Sequence, residues 1–142
     1  MANDVQGLTV GSAASFSKQI TAEDIVSFAH VTGDGNPLHT DVAYAARTRF
    51  KAPIAHGMLG AGLISAAIGV NLAPGNAVIY LGQNLQFRAP VNAGDTVTAN
   101  VEVTEVDAEK SRLKLNTTVS NQDGIEVIRG EATIMVEALA EA

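Results

Sequence analysis

Residues 112–120 alternate strictly, with Leu113, Leu115, Thr117 and Val119 on one face and mainly charged or polar side chains on the other. A period of two marks a half-buried strand. The same texture fills the C-terminal half of the chain. Residues 78–87 are apolar with Gln and Asn interspersed, and residues 96–106 alternate Val with Thr, Asn and Glu. Asp123-Gly124 is a tight-turn pair, and residues 125–137 complete the set of strands. Nearer the start, residues 8–20 carry Thr, Val, Ser and Phe without helical period, which predicts a strand followed by an extended arm.

Helical spacing appears twice. Thr21 has the position of an N-cap, Asp24 sits near the positive end of the helix dipole, and Ile25, Phe28 and Ala29 follow on one face. This helix is expected to end near Thr32, with Gly33 as the left-handed residue beyond it. Asp41 is placed to cap a short helix over residues 42–47, ahead of an irregular stretch containing Pro53. A longer helix is expected over residues 56–70. Its Gly57, Gly60, Ala61, Gly62, Ser65, Ala66, Ala67 and Gly69 include weak helix formers, and they fit a helix around which strands wrap closely. Residues 57–73 are nearly all apolar but short for a bilayer, and Pro74 follows them, so a buried helix is the better reading. One buried small-residue helix inside a long antiparallel sheet implies an α+β fold.

Composition narrows the picture. With 142 residues, 46% hydrophobic and 17% charged, the chain suits one domain spanning 1–142, and no linker or repeat divides it. It has no cysteine, which removes disulfides, thiolate metal sites and a thiol nucleophile. A net charge of −6 argues against general nucleic-acid binding. The first residues, Met-Ala-Asn-Asp-Val-Gln-Gly, have neither a basic n-region nor an apolar h-region, so a cytoplasmic protein is expected.

The candidate chemistry lies in Gly33-Asp34-Gly35-Asn36-Pro37-Leu38-His39, read as a segment that is neither helix nor strand. It holds a carboxylate and an imidazole five residues apart on a constrained loop, which is acid–base equipment. An Asx-type turn with an incidental histidine would use the same residues. His30, His39, His56 and Asp34 are metal-ligand types, but they come from separate segments at no recognised ligand spacing. Gly57-Met-Leu-Gly60-Ala-Gly62 is no dinucleotide fingerprint, because the order is wrong and no strand leads into it.

Three motifs in order carry a resemblance. Asp34-Gly35-Asn36-Pro37-Leu38-His39, Ala55-His56-Gly57-Met58 and Phe87-Arg88-Ala89-Pro90-Val91 closely resemble those of the MaoC-like (R)-specific enoyl-CoA hydratases, over residues 20–136. The resemblance implies a hot-dog fold. It places the family's catalytic Asp–His dyad on Asp34 and His39, its loop asparagine on Asn36, its oxyanion-donating glycine on Gly57 and its supporting serine on Ser65. It also implies a homodimer joined sheet edge to sheet edge, with an acyl-CoA thioester bound near the subunit boundary.

The implied reaction is reversible hydration of a trans-2-enoyl-CoA to the (R)-3-hydroxyacyl-CoA. Asp34 and His39 would hold a water and share its proton transfers, each such role bringing roughly 10²–10⁴-fold. Which of them is the base at each step stays open, since a close dyad titrates as a unit. The Gly57 N–H would stabilise the thioester oxygen from a helix N-terminus, although plain helix–sheet packing also explains a glycine there. Arg47, Arg49, Lys51 and Arg88 are candidates for the CoA phosphates, or else ordinary surface charge. The acyl end is expected to meet the apolar helix face at Ile68, with Leu63 and Ile64 as further contacts. No cofactor or metal is needed, and neither nucleic acid nor membrane is an expected partner. Two other readings share these parts: an acyl-CoA thioesterase of the same fold, and a non-catalytic acyl-CoA-binding subunit.

Overall fold

The computed structural model describes residues 3–142; Met1 and Ala2, the start of the N-terminal stretch read above, lie outside the described residues. The elements run β1 (Ala13–Gln19), α1 (Ala22–Thr32), α2 (Pro37–Thr40), α3 (Val42–Ala45), α4 (Gly57–Ala66), β2 (Asn76–Gln83), β3 (Gln86–Phe87), β4 (Thr96–Asp107), β5 (Arg112–Ser120) and β6 (Glu126–Ala138). The strictly alternating segment is β5. It lies in the middle of an antiparallel sheet of order β1-β4-β5-β6-β2, with β3 pairing to β6. Leu113, Leu115, Thr117 and Val119 all point inward and are buried. Val97, Ala99, Val101 and Val103 of β4 and Ala132, Ile134 and Val136 of β6 join them against Ala61, Leu63 and Ile64 of α4. Full burial of each large aliphatic side chain is worth about 1.5–3 kcal/mol, so this concave face is the main source of stability.

The sheet wraps α4 as the small-residue pattern predicts, though not at every glycine. A Cβ on Gly60 would come within 3.0 Å of Ile128 Cδ1, whereas one on Gly62 or Gly69 would meet nothing. After Ala66 the helix widens into a π-helical stretch, Ala67–Leu72, that keeps Ala67, Ile68 and Leu72 in the core. Among the described residues no helix is long and apolar enough to cross a membrane.

Local rules account for the first helix. Thr21 and Asp24 form a reciprocal capping box, and Gly33 ends α1 at φ 81° with its N–H on the Ala29 carbonyl. Other boundaries differ from expectation. A bridged turn at Val5 and Leu8 precedes β1, rather than an extended arm following it. The helix capped by Asp41 is one turn, Val42–Ala45. The apolar run 78–87 is interrupted because the chain between β2 and β3 crosses β6 at Gly130. There Asn84 N–H donates to the Glu131 carbonyl at 3.0 Å, and Glu131 N–H donates to Asn84 Oδ1 at 3.1 Å. A Cβ on Gly130 would lie 1.9 Å from the Asn84 carbonyl oxygen, so that crossing requires glycine.

The register of β6 shifts at Val127, which leaves Val127 and Ile128 both buried. This is the signature of a β-bulge. The Val127 carbonyl accepts the Arg88 N–H at 2.8 Å, holding the chain after Phe87 in place. The bulge thus fixes the segment that faces the start of α4.

Candidate active site

The segment after α1 is organised by its own polar atoms. Thr32 Oγ1 donates to the Phe28 carbonyl at 2.7 Å and accepts the Asp34 N–H at 3.1 Å. Asp34 Oδ1 accepts the Asn36 N–H at 3.2 Å, and Asn36 Oδ1 in turn accepts the Leu38 N–H at 3.1 Å. The Asx-type turn therefore exists, and it orients Asp34. Contrary to the expectation of a segment without helix, Leu38 and His39 are helical. Asn36 is an N-cap and Pro37 occupies the first turn of α2, where a missing N–H costs nothing.

His39 is half-buried and its tautomer follows from its partner. Nδ1 lies 2.7 Å from the Ile54 carbonyl, which can only accept, so Nδ1 carries the proton. In the neutral ring Nε2 is then bare and available as a base. Ligand-type atoms of Asp34, His39 and His56 all lie within 4.8 Å of one another.

His56 is brought in from 22 residues away and is 3% exposed. Its Nε2 donates to the Asp34 carbonyl at 3.0 Å and lies 4.0 Å from Asp34 Oδ2. Its ring centroid is 3.9 Å from that of His39 and 4.7 Å from that of Phe28. Its Nδ1 is buried without a partner, which costs on the order of 1–3 kcal/mol. With the ring turned this way, no side chain caps α4. The N–H of Gly57, the first residue of that helix, has neither an intrahelical nor a side-chain acceptor.

Gly57 and His39 line a cleft of about 380 Å³, walled by Phe50, Phe87, Val91 and Ile128 and flanked by Arg49 and Arg88. Phe87 packs against Gly57 so closely that a Cβ there would lie 2.6 Å from the ring. Of the four cations singled out in the sequence, Arg49 and Arg88 line this cleft; Arg47 and Lys51 are exposed outside it. Ile68 is fully buried in the core and is not part of the cleft wall. Ser65 is exposed on α4, and within this chain the Asp34 carboxylate takes its hydrogen bond from the Asn36 backbone. His30 is exposed and stands apart from the Asp34–His39–His56 cluster. In that cluster His39 Nδ1 and His56 Nε2 serve backbone carbonyls, and Asp34 Oδ1 accepts the Asn36 N–H.

The sequence offered His56 only as a metal-ligand type and as part of the Ala55–Met58 motif, and it gave no sign of the Ile54 carbonyl. The signal for His56 was its place directly before the helix-opening Gly57, where an uncapped imidazole is free to turn elsewhere.

A family model described as "MaoC like domain" matches residues 8–124. The chain is 50% identical over 128 residues to the (R)-specific enoyl-CoA hydratase of Rhodospirillum rubrum, covering 90% of this chain and 88% of that one. It is 45% identical over 137 residues to the 3-hydroxybutyryl-CoA dehydratase of Methylorubrum extorquens, covering 96% of this chain and 86% of that one. Among solved structures, the (R)-hydratase from Aeromonas caviae involved in PHA biosynthesis superposes with a TM-score of 0.86 at 45% identity, over 92% of this chain and 98% of the other. With the sheet wrapped around α4 and the match spanning most of the sequence, the chain belongs to the MaoC-like family and has the hot-dog fold.

Proposed function

We propose that this protein catalyses the reversible, (R)-specific hydration of trans-2-enoyl-CoA thioesters. The observation that carries the reading is His39, its Nε2 left bare by the Nδ1 contact with the Ile54 carbonyl, clustered with Asp34 and lining the same cleft as Gly57. The dyad holds one water. Its oxygen attacks C3 of the thioester while one of its protons passes to the dyad, and the dyad returns a proton to C2. Negative charge builds meanwhile on the thioester oxygen, which the Gly57 N–H and the positive end of α4 stabilise. Water is added across the double bond, and no redox cofactor or metal enters the balance.

Arg49 and Arg88 are the cations placed to meet the CoA phosphates. The acyl chain packs against the apolar cleft wall of Phe50, Phe87, Val91 and Ile128. Homodimerisation is supported by β2, which ends the sheet order and exposes Ile79, Tyr80 and Leu81. An unpaired apolar edge is a pairing surface, and a second copy would cover it. A cytoplasmic setting suits a CoA-linked substrate.

The test is the loss of enoyl-thioester ultraviolet absorbance with crotonyl-CoA and a medium-chain homologue, with an (R)-specific 3-hydroxyacyl-CoA readout and a thiol probe alongside. Absorbance loss with (R) product and no thiol is expected. Thiol release from a saturated acyl-CoA without hydration would move the assignment to a thioesterase, and acyl-CoA binding with no turnover would move it to a binding subunit.

A further inference from the structure

We infer that His56, which the proposed reaction leaves unused, is a positioning residue that locks the acid–base dyad and the oxyanion donor into one frame. The inference rests on the hydratase reading above. Among the described residues His56 is the one buried side chain that can ionise. The Asp34 carbonyl is an acceptor only, so its 3.0 Å contact assigns the proton of the neutral ring to Nε2 and leaves Nδ1 bare and unpartnered. An apolar side chain of similar bulk would seal the same space and touch Phe28 and His39 without burying an unsatisfied nitrogen. The N–H on Nε2 is therefore what the imidazole adds.

That N–H adds a long-range tie to a segment otherwise held by hydrogen bonds among close sequence neighbours. Asp34 follows the left-handed Gly33 and belongs to no helix or strand. The position of its carbonyl sets the peptide plane after it, and with that plane the direction of the carboxylate. The same ring lies against His39 with centroids 3.9 Å apart and planes 32° apart, which restricts the second member of the dyad. Along the backbone His56 is joined directly to Gly57. Its own backbone is anchored on both sides, by the Ala55 N–H on the Val91 carbonyl at 2.7 Å and by its carbonyl accepting the Leu59 N–H at 3.0 Å. One residue thus ties base, acid and oxyanion donor together across a gap of 22 positions in sequence.

Three measurements on the intact chain test this. In ring nitrogen NMR of the wild type, His56 is expected to carry its proton on Nε2; a proton on Nδ1 would overturn the assignment. In crotonyl-CoA hydration, His56→Phe keeps the ring contacts and removes the donor. It is expected to lower kcat about 10- to 100-fold with KM little changed, the scale of a misplacement near 1 Å. His56→Gln, whose amide nitrogen reaches nearly as far as Nε2, is expected to recover most of that loss. Wild-type kcat in His56→Phe, or equal loss in both variants, would overturn the positioning role while leaving the hydratase reading standing. A wild-type chain that hydrates no enoyl-CoA would overturn the functional reading and this inference with it. Should His56→Phe fail to fold, the ring tautomer and His56→Gln carry the decision: near-wild-type kcat in His56→Gln supports the donor, and a loss as deep as that of Asp34→Asn counts against it.

Discussion

Substituting Gly57 by alanine separates what this position does for the fold from what it does for the reaction. A Cβ there would stand 2.6 Å from Cε1 and 2.7 Å from Cδ1 of Phe87, about 0.9 Å inside the ~3.5 Å at which carbon atoms pack. Something must move by nearly an ångström. The Phe87 ring is 53% exposed and can swing outward, so the fold does not have to absorb the strain. Alanine also gains up to about 1 kcal/mol of helix propensity over glycine, less at a first-turn position. Stability is therefore expected to stay within about 1 kcal/mol of wild type, by urea unfolding. Activity is expected to respond differently. The N–H survives the substitution, but the new methyl and the displaced ring crowd the ground where the thioester oxygen must sit. A misplacement of this size costs about 100-fold in kcat/KM. Adding Phe87→Ala to Gly57→Ala removes the ring half of the clash and should recover part of the loss, a coupling that a double-mutant cycle reads directly. Wild-type kcat/KM in Gly57→Ala would refute the placement of the oxyanion site, and a loss of several kcal/mol of stability would refute the claim that Phe87 can yield.

Asp34→Asn and His39→Ala should each lower kcat by roughly 10²–10⁴-fold while circular dichroism and melting temperature stay close to wild type, since both side chains are at least partly exposed; near-normal turnover in either would remove the dyad. Gly130→Ala forces a carbon to within 1.9 Å of the Asn84 carbonyl, so backbone must move, and a loss of about 2–4 kcal/mol in denaturant unfolding is expected. Asp24 is held below its ordinary value of 3.8, first by its hydrogen bond from Lys18 at 2.7 Å and then by the Thr21 backbone. A depressed carboxylate stabilises the fold fully above its unfolded value and loses that contribution as pH falls through the depressed one. Acid titration of melting temperature should therefore show a steeper decline below about pH 4 in wild type than in Asp24→Asn, and parallel curves would contradict it. In sedimentation equilibrium, Leu81→Lys on the exposed edge of β2 should shift the protein toward monomer, and an unchanged mass would count against that edge as the dimer seam.

What the sequence determined alone is what depends on neighbours a few positions away. The period of two over residues 112–120 translates directly into β5, because a one-residue slip would turn Leu113, Leu115 and Val119 to solvent. Thr21, Asp24 and Gly33 define α1 through hydrogen bonds that span three or four residues. The turn that holds Asp34 is local in the same way, since Asp34 accepts the Asn36 N–H and Asn36 the Leu38 N–H. Where local reasoning failed, it either misread a breaker or met a contact from far along the chain. Pro37 reads as a helix stop but serves as a helix start once Asn36 caps it. The apolar run 78–87 carries no sign that Asn84 must cross Gly130, 46 positions later, and break it in two. The division of four cations into two inside the cleft and two outside depends on how an irregular stretch turns around Phe50, which no periodicity encodes. The role of His56 is the furthest from legibility. Its proton is aimed at a carbonyl 22 residues upstream and its ring at two side chains from other helices. Only the folded sheet, by bringing the start of α4 under the end of α1, decides that an imidazole in that position holds the site together.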